Sequence, residues 1–204
     1  MSSHYHHGDL RSALIEAGMT MARAKGVGTL GIRELARAVG VSPNAAYRHF
    51  ASLRALVLTV AQEAQHRLSR AILDRMDAVP GEASQAERAS ARLRAFGLAY
   101  IHFAVTEPGW FALTCESQED PPGPLATEPP PPPPHQILLD TLDAMVEARV
   151  MTPQGRVDVE WSCWSTVHGF AMLATAGPLQ AMPPDATARL ADRVIGTLLK
   201  GLQN

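Results

Sequence analysis

Cysteine is nearly absent: the 204 residues hold only Cys115 and Cys163. Two thiols provide neither a disulfide framework nor a four-ligand zinc site, and such sparing use suits a reducing cytoplasm. Aromatic residues are also few, at 5%. Apolar runs are short, and none nears the roughly 18 residues of a membrane-spanning helix. The opening residues Met1-Ser2-Ser3-His4-Tyr5-His6-His7 lack the apolar stretch behind a positive region that marks a secretory signal. Strand patterns are missing, and no internal repeat is visible. What remains is a globular composition, 46% hydrophobic and 19% charged, on a chain long enough for one large or two small domains.

The net charge of -2 conceals an asymmetry. Residues 1–60 carry seven basic side chains (Arg11, Arg23, Lys25, Arg33, Arg37, Arg48, Arg54) against three acidic ones (Asp9, Glu16, Glu34), leaving 11 basic and 17 acidic groups for the rest. A basic first segment suggests a polyanionic partner.

Periodicity predicts helices throughout. Leu10, Leu14, Ala17 and Met21 form one stripe between an Asp9 cap and a stop at Gly26. Ile32, Leu35, Ala36 and Val39 form a second stripe ending at Gly40. Ser42-Pro43 reads as an N-cap with proline in the first helical position, opening a short helix to His49. A long helix follows from Leu53 to about Asp77. Further helices are expected over about 84–105, 110–117, 136–149, 156–176 and 185–202, giving an all-α chain of about nine helices. Nine prolines fall among residues 121–134, which predicts an extended surface loop.

The segment IRELARAVGVSPNAAYRHF, residues 32–50, carries the chemistry. Two short helices separated by a turn at Gly40 have helix-turn-helix spacing. Small Ala36 and Val41 let the helices pack closely. The second helix then turns Asn44, Ala45 and Arg48 outward, where the N-terminal residues of a groove-bound helix reach base edges. Tyr47 and His49 can donate to phosphate oxygens, and Arg33 and Arg37 flank the backbone path. Phe50 is read as core.

These residues resemble the TetR family of transcriptional regulators. The resemblance begins at Tyr5-His6-His7-Gly8-Asp9-Leu10 and extends to about Ala61; Gly40-Val41-Ser42 and Tyr47-Arg48-His49-Phe50 are its most specific parts. It places His4, His6 and His7 at the start of the first helix rather than in a metal site. It implies a DNA-binding domain over 1–54, with Gly31, Arg33, Ser42, Asn44, Ala45, Tyr47, Arg48, His49 and Arg54 at the DNA. Two positions depart from the family pattern. Gly31 replaces a capping Ser or Thr, leaving Glu34 as half of a capping box. Leu53 replaces a phosphate-binding Lys, so either Arg54 takes over from a shifted direction or one phosphate contact is lost, with weaker salt dependence.

For residues 55–204 the resemblance implies a ligand-sensing and dimerising helical domain. Trp164 with His168-Gly169 resembles a subgroup of such domains. An apolar pocket would draw on Phe96, Tyr100, Phe103, Trp110, Phe111, Trp164, His168 and Met172. The helix around 161–176 is apolar nearly all round and must be buried on all sides. Val167, Phe170, Ala171 and Ala174 are expected to meet a second subunit, together with Leu190, Val194 and Leu198 of the last helix.

The resulting expectation is a cytoplasmic homodimer. It binds a palindromic duplex operator as a repressor and is released by a small, mostly apolar effector, with no metal, cofactor or membrane partner. The competing reading is an architectural DNA-binding protein without an effector. An enzyme built on His168 with Asp158 or Glu160 lacks a nucleophile–base–orienter set.

Overall fold

The structure, a computed structural model, describes residues 7–81, 84–116 and 130–202. Among them every regular element is helical: α1 (His7–Lys25), α2 (Ile32–Val39), α3 (Pro43–Tyr47), α4 (Leu53–Asp77), α5 (Gln85–Thr106), α6 (Pro108–Glu116), α7 (Pro134–Glu147), α8 (Val159–Ala176) and α9 (Pro184–Leu202), with one 3-10 turn at Val27–Thr29. The all-α expectation holds. His4 and His6, and residues 121–129 of the loop expected over 121–134, lie outside the described residues.

Local chemistry accounts for the helix ends. Ser42 caps α3, its Oγ accepting from the Ala45 N–H at 3.3 Å, and Pro43 follows at the first helical position. Ser52 caps α4 in the same way, accepting from Ala55 N–H at 3.1 Å. At α5 the capping box is complete. Ser84 Oγ accepts from Glu87 N–H at 3.3 Å, and the Glu87 carboxylate accepts from Ser84 N–H at 3.0 Å. The Ser84 hydroxyl also donates to the Glu87 carboxylate at 2.6 Å, and this bond, followed by that from the Ser84 N–H, holds the Glu87 carboxyl below its ordinary pKa.

Some ends move from their expected places. α3 stops at Tyr47, not His49. α7 opens at Pro134, since proline needs no N–H in a first turn. α8 starts at Val159 rather than 156, because Asp158 takes a left-handed conformation (φ 58°) and Arg156 closes a turn onto the Thr152 carbonyl.

Packing divides the chain into two compact units, residues 1–66 with 107–130, and residues 67–106 with 131–204. The division follows contacts rather than chain order, so it groups α6 with the first three helices and splits α4 near His66. The first unit closes on Leu14, Met19, Leu35, Ala36, Phe50 and Leu56. In it α6 is fastened to α1: Trp110 Nε1 donates to the Met19 carbonyl at 2.8 Å, and Arg23 pairs with Glu107 at 2.6 Å. The second unit buries Leu93, Phe96, Leu138, Leu142, Met145 and Val167.

Candidate functional site

In the first unit α2 and α3 meet at a turn that the backbone specifies. Gly40 adopts φ 79° and ψ 28°, a left-handed conformation that costs an L side chain roughly 1–2 kcal/mol. Its N–H donates to Arg37 O at 3.2 Å, and Val41 N–H donates to Ala36 O at 2.9 Å, satisfying the last carbonyls of α2. Ala36 and Ala46 are buried where the two helices touch. Phe50 is also buried, anchoring the chain beyond α3.

This packing decides which side chains face outward. Asn44, Tyr47 and Arg48 are exposed, while Ala45 and His49 are partly covered. Tyr47 is 51% exposed, unusual for a large aromatic ring, and it shares the outward surface with Arg48. Arg33, Arg37 and Arg54 are exposed as well. No ion pair engages Arg33, Arg37 or Arg48 among the described residues. Here, then, is a short helix with free donors and cations on one side and a packed apolar side opposite.

The departures at Gly31 and Leu53 have structural consequences. Gly31 sits at the N-cap of α2 without a side-chain cap bond. The Glu34 carboxylate folds back over it: a Cβ on Gly31 would lie 2.1 Å from Glu34 Oε2. Leu53 is 43% exposed, an apolar side chain with no cation to offer.

One residue beside this surface was not among the candidates. Arg11, in the second turn of α1, lies over the Phe50 ring at 5.0 Å from its centroid. Partial burial pushes its pKa down. Its signal in sequence was only one charge among seven.

The second unit gathers some of the expected pocket residues. The Tyr100 hydroxyl and His168 Nδ1 are 2.9 Å apart, the imidazole tautomer setting which group donates. Trp164 meets Tyr100 edge-on at 5.5 Å and stacks on His168 at 6.2 Å and 8°. His135 joins from α7, 5.5 Å from Trp164, and its Nε2 is buried without a partner. Phe96 lies 6.4 Å from Tyr100, and Phe103 is buried. Burial lowers the pKa of His168 and raises the Cys163 thiol to about 11. Three expected members are elsewhere. Trp110 is bonded to Met19 in the first unit, Phe111 is buried on the same helix, and Met172 is 43% exposed.

The expected dimer face on α8 needs correction. Val167, Phe170, Ala171 and Ala174 are buried inside the subunit's own unit, so they offer no free surface. The exposed face of α8 is the other one, with Trp161 (58% exposed), Ser165, Met172 and Leu173. Both faces are apolar, so hydropathy could not say which one the subunit keeps for itself. Val194 and Leu198 on α9 are partly exposed, as a contact surface requires, whereas Leu190, expected with them, is partly exposed in a groove against α5.

Among the described residues no cluster of three metal-ligating side chains occurs, and no helix is long and apolar enough to cross a membrane. Glu160, considered above as a partner for His168, is held by Arg156 at 2.8 Å.

Comparison with known proteins adds the lineage. Residues 14–60 match the family model described as bacterial regulatory proteins of the tetR family, and residues 93–198 match that of the tetracyclin repressor-like C-terminal domain. No curated protein matches in sequence. Among solved structures, a protein of unknown function from Rhodococcus sp. RHA1 is 26% identical over the whole of both chains, with a TM-score of 0.73. A transcriptional regulator from the same organism is 19% identical over 95% of this chain and 98% of its own, with a TM-score of 0.56. A single-substitution variant of TetR from Acinetobacter baumannii AYE, solved in complex with minocycline, is 18% identical over 93% of this chain and 94% of its own, with a TM-score of 0.53. With its C-terminal family match spanning more than half its length, and a helix-turn-helix preceding it, the chain belongs to the TetR family of bacterial transcriptional regulators.

Proposed function

We propose that this protein is a homodimeric repressor. It binds a palindromic operator through α3 and is released by a small, mostly apolar effector. The observation that carries the DNA reading is the outward surface of α3, where exposed Tyr47 and Arg48 stand beside Asn44 on a helix whose other side is locked in the core. Major-groove readout takes a helix with free donors near its N-terminus, and phosphate contacts take cations around it. Arg33, Ser42, His49 and Arg54 surround it as positioning contacts, while Ala45 and the Gly31 backbone approach without a side-chain donor.

Dimerisation is supported by the uncharged outer face of α8. A contiguous apolar surface of this kind marks an interaction site. Trp161, Met172 and Leu173 would meet their counterparts, with Val194 and Leu198 of α9 alongside. Gly169 belongs to the same face: a Cβ there would meet nothing within 4 Å inside the subunit, leaving room for a second helix. The effector reading rests on Phe96, Tyr100, Trp164 and His168, an apolar cluster with a few polar groups.

The test is a mobility shift on the DNA upstream of the protein's own gene, across a salt series. A specific complex that weakens with salt is expected, and Tyr47→Ala with Arg48→Ala should abolish it while sedimentation still reports a dimer. Unchanged binding by that double variant would refute the role of α3. Leu173→Glu with Trp161→Ala should yield monomers; a variant that stays dimeric rejects the α8 face.

A further inference from the structure

The second unit carries a groove apart from the aromatic cluster. It runs between α5 and the first half of α9, with a volume of about 860 Å³. That is within the roughly 300–1,000 Å³ of small-molecule sites. Leu98, Ile101 and Val105 of α5 and Ala186 and Leu190 of α9 provide an apolar lining. None of Tyr100, Trp164 or His168 contributes to it.

The charges around this lining are unevenly satisfied. Asp185 is engaged by Arg189 at 2.7 Å, and Asp192 by Arg94. Two lining cations, Arg75 and Arg193, have no carboxylate partner among the described residues. His102 adds a third polar head to the groove. Asp74, an acidic side chain without an ion pair among the described residues, lies in an adjoining cleft of about 440 Å³ that shares Arg75 and His102. After the internal pairs are set aside, the groove has an apolar lining and surplus positive charge.

We infer that this groove binds a small amphipathic organic anion, its hydrocarbon part against Leu98, Ile101, Val105 and Leu190, and its acidic head held by Arg75 and Arg193. An apolar body needs removal from water, and an oxyanion needs charged donors; the groove offers both. A neutral apolar ligand would leave both arginines unused. A purely ionic ligand would leave the lining wet. The inference concerns the second unit alone and does not depend on the DNA reading, since occupancy is measured without DNA.

The experiment is titration calorimetry of the full chain with hexanoate, octanoate and decanoate, and with the matching primary alcohols. Saturable binding of the carboxylates is expected, tightening about fourfold per added methylene until the groove is filled. The alcohols should bind at least tenfold more weakly. Arg75→Glu and Arg193→Glu, two solvent-facing substitutions, should each weaken carboxylate binding severalfold, and the pair at least tenfold. Ala186→Trp should block binding by filling the groove. No saturable carboxylate binding at millimolar concentration, equal binding of alcohols, or full affinity in a folded Arg75→Glu/Arg193→Glu variant each overturns the proposal.

Discussion

The guanidinium of Arg11 rests on the ring of Phe50, 5.0 Å from its centroid. This contact ties α1 to the segment that leaves α3, and it holds a cation next to the proposed DNA surface. A stacked guanidinium keeps its donors free at the edge, so Phe50 orients Arg11 without neutralising it. Arg11→Ala should lower affinity for all DNA sequences alike and reduce the salt slope by about one. Arg11→Lys should recover most of the slope but lose about 0.5–1 kcal/mol of stability with the stacking. Mobility shifts across salt, paired with thermal melts, read both; a normal slope for Arg11→Ala removes Arg11 from the interface.

Two glycines predict similar losses for different reasons. At Gly40 nothing lies within 4 Å of a would-be Cβ, so Gly40→Ala costs only backbone strain, about 1–2 kcal/mol. Asn tolerates the left-handed region better and should cost less. At Gly109 a Cβ would sit 2.3 Å from the Ala22 carbonyl oxygen, where α6 crosses α1. Gly109→Ala must separate the helices and should cost about 1–3 kcal/mol, with no relief from Asn. Urea melts of the four variants make the comparison; relief by Asn at both sites would mean that crowding at Gly109 is not the cause.

His168 links stability to pH. Burial lowers its folded-state pKa below the ordinary value of 6.5. The unfolded chain therefore takes up this proton first as pH falls. The contribution of neutral His168 is fully present above pH 6.5, and it is lost progressively between 6.5 and the lower folded value. Melts at about pH 7.5, 6.5 and 5.5, which run from above the ordinary histidine pKa into this window, should show the wild type losing more stability on acidification than His168→Gln. Parallel pH curves for the two proteins would assign the loss to other groups.

The two cysteines should separate cleanly under a thiol reagent. Cys163 is 1% exposed with its thiol pushed up to about 11, whereas Cys115 is exposed. At about pH 8 the native protein should react with Ellman's reagent at one thiol, and in guanidinium at two. Cys115→Ser should leave almost no fast reaction; a fast second thiol would show that α8 opens readily.

Much of the proposed DNA surface was legible in residues 31–56, because its determinants are local. Ser42-Pro43 and Gly40 act within one turn, and a polar side opposite an apolar one orients α3 unambiguously. Arg11 was not legible, since its contact with Phe50 crosses 39 positions and leaves no periodic trace. Residue type alone groups Trp110 with the expected pocket aromatics, yet its indole N–H finds the Met19 carbonyl in the first unit.

The helices and the turn followed from the chain's own pattern, because capping, proline geometry and amphipathic period act over a few residues; the family followed from the resemblance carried by residues 5–61. The inner face of α8, the place of Trp110 and the α5–α9 groove required the assembled fold. α8 is apolar on both sides, so its period carries no direction, and its neighbours choose which face is buried. A groove is likewise a property of two helices and the gap between them, and neither helix's sequence alone encodes the gap.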